Sequence, residues 1–185
     1  MNKNLETATL AGGCFWCTEA IFKRLTSVAS VLPGYAGGDT DNPNYEQVCS
    51  GNTGHAEAIQ IEFDPNQIPF EKILDIFWHT HNPTTLNQQG ADIGTQYRSV
   101  IFYHNQKQKE ISEKSKLELD QEKIFEDPIV TEIIPFTNFY IAEDYHKNYF
   151  DNHTDAPYCN FIINPKIQKL LEKYRANVKE EYRKN

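Results

Sequence analysis

The chain has 185 residues, of which 39% are hydrophobic, 24% charged and 12% aromatic. That length can bury a core without staples, and the balance excludes a disordered, collagen-like or disulfide-dense scaffold. With 18 Lys and Arg against 26 Asp and Glu the net charge is -8, which argues against a general nucleic-acid binder.

Leu5 to Ala11 reads as a strand running into Gly12-Gly13. Cys14, Cys17, Thr18, Ile21, Phe22 and Leu25 then recur at the spacing of one helical face. Val28 to Leu32 is a second strand, ended by Pro33-Gly34, and 36–54 is punctuated by Gly and Asn-Pro as an irregular loop. His55 to Phe63 forms the next strand, and Phe70, Ile73, Leu74, Phe77 and Trp78 mark a helix. Residues 82–96 form a second loop, followed by a strand from Tyr97 to Tyr103 and a charged helix over 105–125. Ile129 to Ile134 is a strand and Ala142 to Phe150 a short helix. Pro165 opens a last amphipathic helix, reaching about 184, with the stripe Ile167, Leu170, Leu171, Tyr174 and Val178. Strands interleaved with helices predict one domain over 1–185, with its core at about 5–165. Its expected fold is α+β: a two-layer α/β sandwich around a mixed central sheet, with a ferredoxin-like core and long irregular loops.

Residues 166–184 carry seven Lys or Arg against three Glu, so the tail is basic and the remainder acidic; this predicts a solvated helix face. Met1 to Thr9 lacks the apolar run of a signal peptide, and no segment has the length of a membrane span. The expected location is cytoplasmic, where four cysteines are read as thiols, redox groups or metal ligands. No symmetric apolar surface is visible, and a monomer is expected.

Gly12-Gly13-Cys14-Phe15-Trp16-Cys17 holds the most information. A thiol at the start of a helix faces free backbone N–H groups, which predicts a lowered pKa and a nucleophile. A buried structural Cys is the alternative. Cys-x-x-Cys also fits half of a zinc site completed by Cys49 and Cys159, or a thioredoxin-like dithiol oxidoreductase. Glu57 shares the parity of Ile59, Ile61 and Phe63. It is either a buried neutral carboxyl suited to general acid work or a solvated residue ahead of the core. Tyr45 and Tyr97, at loop positions, serve packing or bind a developing oxyanion. Asp92 is a turn-former or a hydrogen-bond partner.

The chain resembles the A-type peptide methionine sulfoxide reductases. The match rests on Gly13-Cys14-Phe15-Trp16, Gly34-Tyr35-Ala36-Gly37-Gly38, Tyr45 with Val48-Cys49-Ser50-Gly51, and Thr53-Gly54-His55-Ala56-Glu57. It continues through Gly94-Thr95-Gln96-Tyr97-Arg98-Ser99, Ala142-Glu143-Asp144-Tyr145-His146 and Pro157-Tyr158-Cys159. The resemblance implies that the Cys14 thiolate attacks the sulfur of a methionine-S-sulfoxide, free or in a protein. Glu57 would then protonate the oxygen, helped by Tyr45 and Tyr97, with Asp92 in support and Phe15 and Trp16 around the methyl group. It further implies a sulfenic acid on Cys14, resolved by Cys159 in a segment able to move. Thioredoxin would act as external reductant, with no bound cofactor or metal. Many members have Gly where Cys17 stands, so Cys17 competes with Cys159 as the resolving thiol, and Cys49 is a buried bystander. Ala91 replaces a frequent Asn, and Asn82-Pro83 a usual Asp-Pro.

Overall fold

The computed structural model describes residues 4–183. Six strands form one sheet: β1 (Glu6–Gly12), β2 (Val28–Ala36), β3 (Ala56–Phe63), β6 (Ser99–Tyr103), β7 (Glu132–Pro135) and β8 (Phe139–Ile141), in the order β7-β6-β1-β3-β2-β8. Only β6 and β7 pair in parallel, and the other neighbours are antiparallel. The sheet is therefore mixed and the fold is α+β.

Alternation sorts the two faces. Leu10, Tyr35, Glu57, Ile59, Ile61, Phe63 and Ile101 are buried on the face covered by α1 (Phe15–Phe22), α3 (Phe70–Thr80) and α6 (Asn164–Tyr174). Ala11, Ala36, Ala56, Ala58, Val100 and Phe102 make a smaller cluster on the other face. Trp78, Phe77, Phe22 and Phe15 fill the main core, and the helical stripes read from sequence are the faces they bury. α4 (Gln106–Gln121) is capped by the Asn105 side chain, which accepts the Gln108 N–H at 2.9 Å.

Several boundaries differ from expectation. β2 runs through Pro33-Gly34 to Ala36 because β8 crosses there so closely that a Cβ on Gly34 would lie 2.4 Å from the Tyr140 carbonyl. The first loop contains a short helix, α2 (Tyr45–Cys49), nucleated by a capping box in which Asn44 and Gln47 bond each other's backbone. The second contains a small hairpin, β4 (Gln88–Gln89) with β5 (Asp92–Ile93), and a 3₁₀ turn over Thr95–Tyr97, so that β6 starts at Ser99. The predicted strand at 129 begins at Glu132. In place of a helix over 142–150 there is a 3₁₀ turn (Asp144–His146), then α5 (Tyr149–Asn152). α6 ends at Tyr174 and two 3₁₀ turns follow, while Lys184 lies outside the described residues.

The strand pairing puts the C-terminal ends of β1 and β2 beside the N-terminal ends of β3 and β6. The Cys14 turn, Glu57 and the two loops accordingly meet at one end of the sheet.

Candidate active site

Gly13 makes the turn from β1 into α1 with φ of +89°, and a Cβ there would lie 2.5 Å from the Gln89 side chain. Cys14 becomes the N-cap residue of α1, and its carbonyl accepts the Cys17 N–H at 3.1 Å. Cys14 is 6% exposed and Cys17 fully buried. The expected lowering of the Cys14 pKa is not found. Burial pushes that thiol well above its ordinary value, and the Cys17 thiol and the Glu57 carboxylate add to the rise. The helix terminus is overridden because its first N–H is already engaged: Phe15 donates to Glu57 Oε2 at 2.9 Å.

Glu57 is 2% exposed. Burial raises its carboxyl pKa to about 8, against the Phe15 hydrogen bond and with the charge of Asp92 adding to it. The carboxyl is thus neutral at pH 7, and the solvated alternative is set aside. Tyr45 opens α2, and its backbone N–H donates to Glu143 Oε1 at 2.9 Å. Tyr97 closes the 3₁₀ turn. Burial raises both phenols above their ordinary range, so they stay neutral donors.

Cys14, Phe15, Trp16, Tyr45, Glu57, Asp92, Tyr97 and Tyr158 line one cavity of about 180 Å³. This is below the roughly 300–1,000 Å³ of pockets for drug-sized ligands, and suits the end of one side chain. Trp16 forms one wall, stacked on Tyr149 at 3.6 Å between ring centroids and donating its indole N–H to His146 Nδ1 at 3.1 Å.

Cys17 and Cys159 do not line the cavity. Cys17 lies one helical turn beneath Cys14. Cys159 is fully buried at the start of a π-helical turn that runs straight into α6; the expected movable segment is a continuous helical run. Cys49 is half-buried, a correction to its placement as a buried bystander. Among the described residues no group of three or more His, Cys, Asp or Glu is placed to hold a metal ion, which leaves the four-cysteine zinc module without a ligand set.

Three polar groups escaped sequence reasoning. Tyr158 donates its hydroxyl to Asp92 at 2.7 Å and faces the cavity. Glu143 holds both Tyr45 and the Tyr35 hydroxyl, the latter at 2.8 Å. His146 is fully buried among Phe15, Trp16 and Tyr45 rings. The signals for them were the aromatic density of residues 139–158 and their place in the blocks 142–146 and 157–159 that carry the resemblance.

A buried thiol, a neutral carboxyl and neutral phenols around one small cavity define a thiol-based oxidoreductase on an α+β sheet. The family model described as peptide methionine sulfoxide reductase matches residues 6–179. The chain belongs to that family. A relative from Sulfolobus acidocaldarius named peptide methionine sulfoxide reductase MsrA is 51% identical over 170 residues, covering 92% of this chain and 96% of the relative. Among solved structures, reduced Mxr1 from Saccharomyces cerevisiae matches with a TM-score of 0.79 and 36% identity, over 86% of this chain and 91% of that one. Mxr1 in complex with Trx2 matches with a TM-score of 0.58 and 26% identity, over 80% and 87%.

Proposed function

We propose that the protein reduces the S epimer of methionine sulfoxide, free or within proteins, to methionine. The observation that carries this is the single cavity that a thiol, a neutral acid, two phenols and an aromatic wall share. A sulfoxide sulfur is electrophilic, and its oxygen gains negative charge as the sulfur is attacked. One Glu57 oxygen is occupied by the Phe15 N–H, so the other carries the proton and delivers it to that oxygen. Tyr45 and Tyr97 donate hydrogen bonds to the same oxygen. Phe15 and Trp16 receive the methyl group against an apolar, polarisable surface. Asp92 fixes the Tyr158 phenol at the cavity edge. The Cys14 sulfur takes the oxygen, methionine leaves, and Cys14 remains as a sulfenic acid.

A protonated Glu57 also removes the carboxylate charge that opposes a Cys14 thiolate, so acid and nucleophile are readied by the same proton. A second thiol, Cys159 or Cys17, then condenses with the sulfenic acid. Thioredoxin is the proposed reductant of the resulting disulfide, with the Mxr1–Trx2 structure as precedent. Residues 1–185 are proposed to act as one catalytic domain, monomeric and cytoplasmic, with no bound cofactor. No described helix is long and apolar enough to cross a membrane. The order β1-α1-β2-β3-α3-β6, with β6-β1-β3-β2 adjacent in the sheet, supports a ferredoxin-like core.

The test is methionine release from a peptide carrying methionine-S-sulfoxide. Cys14→Ser is expected to abolish it, and retained turnover would overturn the assignment.

A further inference from the structure

Cys17 is set apart from the other thiols by its neighbours. Tyr158 Oη lies 3.8 Å from its sulfur. A phenol has one proton, and Tyr158 gives it to Asp92 at 2.7 Å. Tyr158 favours a Cys17 anion as well, but less than the charge of Lys166 does. The cation on this side is Lys166, in the first turn of α6, whose charge favours the Cys17 anion. Among the described residues Lys166 forms none of the ion pairs with carboxylates. It lines a mostly apolar groove of about 450 Å³ with Phe161, Ile162, Asp92 and Tyr158, which adjoins the active cavity through the last two.

We propose, resting on the reductase reading above, that Cys17 is the thiol that resolves the Cys14 sulfenic acid and that Lys166 is the cation that holds it ready as a thiolate. Residues three apart on a helix have Cα atoms about 5 Å apart, within the roughly 4.4–6.8 Å that a disulfide spans. Cys159 has no such access. It stands on another element, at the start of the π-helical turn, and burial, with the charge of Cys17 beside it, raises its thiol above the ordinary value. Cys17 is instead lowered to about 7, chiefly by its hydrogen bond with Cys14, against its burial, and then by Lys166 and Tyr158.

In the step itself the Cys17 sulfur forms a bond to the Cys14 sulfur and the S–O bond of the sulfenic acid breaks. The oxygen leaves as hydroxide and takes up a proton from solvent, where the Cys17 proton went when the thiolate formed, to become water. Cys17 is oxidised and Cys14 reduced. When a dithiol reductant attacks Cys14, the most exposed of the two sulfurs, Cys17 departs as the better leaving thiolate beside Lys166. The titratable groups facing Cys17 are Cys14 on its own helix, Glu57 on β3, Tyr158 and Cys159 before and in the π-helical turn, and Lys166 on α6.

The test is one turnover without reductant, with methionine counted and the disulfide mapped by mass spectrometry from pH 6 to 10. Wild type and Cys159→Ser are expected to form Cys14–Cys17, and Cys17→Ser to leave a Cys14 sulfenic acid that dimedone traps. Lys166→Met is expected to slow sulfenic acid loss about tenfold at pH 7, as for about one unit of thiol pKa, with the deficit closing above pH 9. Lys166→Arg should restore the rate at pH 7. A Cys14–Cys159 disulfide as the first product, or a Lys166→Met pH profile equal to wild type, would overturn the inference. No methionine at all from the wild type would instead overturn the reductase reading.

Discussion

The two sides of the cavity are held by different means. On one side Gly13 to Trp16 are consecutive residues, fixed by a strand, a left-handed glycine and a helix start. On the other, the segment from Ala142 to Tyr158 has little regular structure and is tied down by single long-range bonds. Trp16 reaches His146, Glu143 reaches Tyr35 and Tyr45, and Asp92 reaches Tyr158. Local sterics shape the nucleophile's wall. Distant pairings, each replaceable on its own, shape the wall that handles substrate and resolving thiol. Changes on the first side should therefore strike the chemical step, and changes on the second should strike binding and stability.

The largest expected effect lies at Glu57, where the first side meets the sheet. Glu57→Gln should slow methionine formation in a single turnover by about 10²-fold or more, the usual contribution of a general acid. The same variant tests the pKa. With the folded carboxyl at about 8 and an ordinary value of 4.5, the folded state binds more protons than the unfolded state between those limits. Stability is therefore full below pH 4.5 and falls as pH rises to 8. Denaturant titrations should show the wild type losing stability across that window relative to Glu57→Gln. The wild-type reductive rate should decline above pH 8, with that limb missing in the variant.

Glu19 on α1 gives the next effect, because it joins the two sides. It is buried, and both its oxygens accept the backbone N–H of Asn148, at 2.9 and 3.0 Å, where Asn148 takes a φ of +55°. Burial raises the Glu19 carboxyl pKa to about 7, and Glu19→Ala should cost about 2–3 kcal/mol, combining lost hydrogen bonds with a cavity. Asn148 precedes Tyr149, on which Trp16 stacks. KM for a sulfoxide peptide is thus expected to rise more than kcat falls; an equal fall in kcat and kcat/KM would place Glu19 in the chemistry instead.

The same division explains what could be read in advance. Gly13-Cys14-Phe15-Trp16 is contiguous, and the parity of Glu57 with Ile59 and Ile61 marks its buried face, so both were legible. Tyr35 sits opposite Glu57 in the β2–β3 register, but which strand pairs with which is not encoded locally. Glu143, His146 and Tyr158 acquire their partners from residues about 100, 130 and 66 positions away. No helical or strand period marks them. Strand β8 was missed because its three residues, Phe139 to Ile141, pair only with β2 beyond a proline that reads as a stop. The Cys14 pKa was misjudged for a related reason. The helix start is visible in the sequence, but the burial that outweighs it is not, nor is the glutamate 42 residues downstream that occupies its first N–H.

The smallest effect sets a local device against a distant one at a single residue. Tyr45 is positioned by the Asn44 cap, a neighbour in sequence, and by Glu143, which is 98 residues away. Asn44→Ala should cost about 1 kcal/mol, as helix caps do, and only part of that reaches Tyr45 while Glu143 still holds its backbone. Glu143→Gln keeps the size and an acceptor oxygen but weakens two bonds, to Tyr35 and Tyr45. If the two devices act on one element, α2, the double variant should lose more than the sum in single-turnover rate, because α2 is then released at both supports. Independent sites add within about 0.3–0.5 kcal/mol. A strictly additive cycle in both rate and stability would mean that the cap steadies the loop alone and that the distant carboxylate positions the phenol by itself.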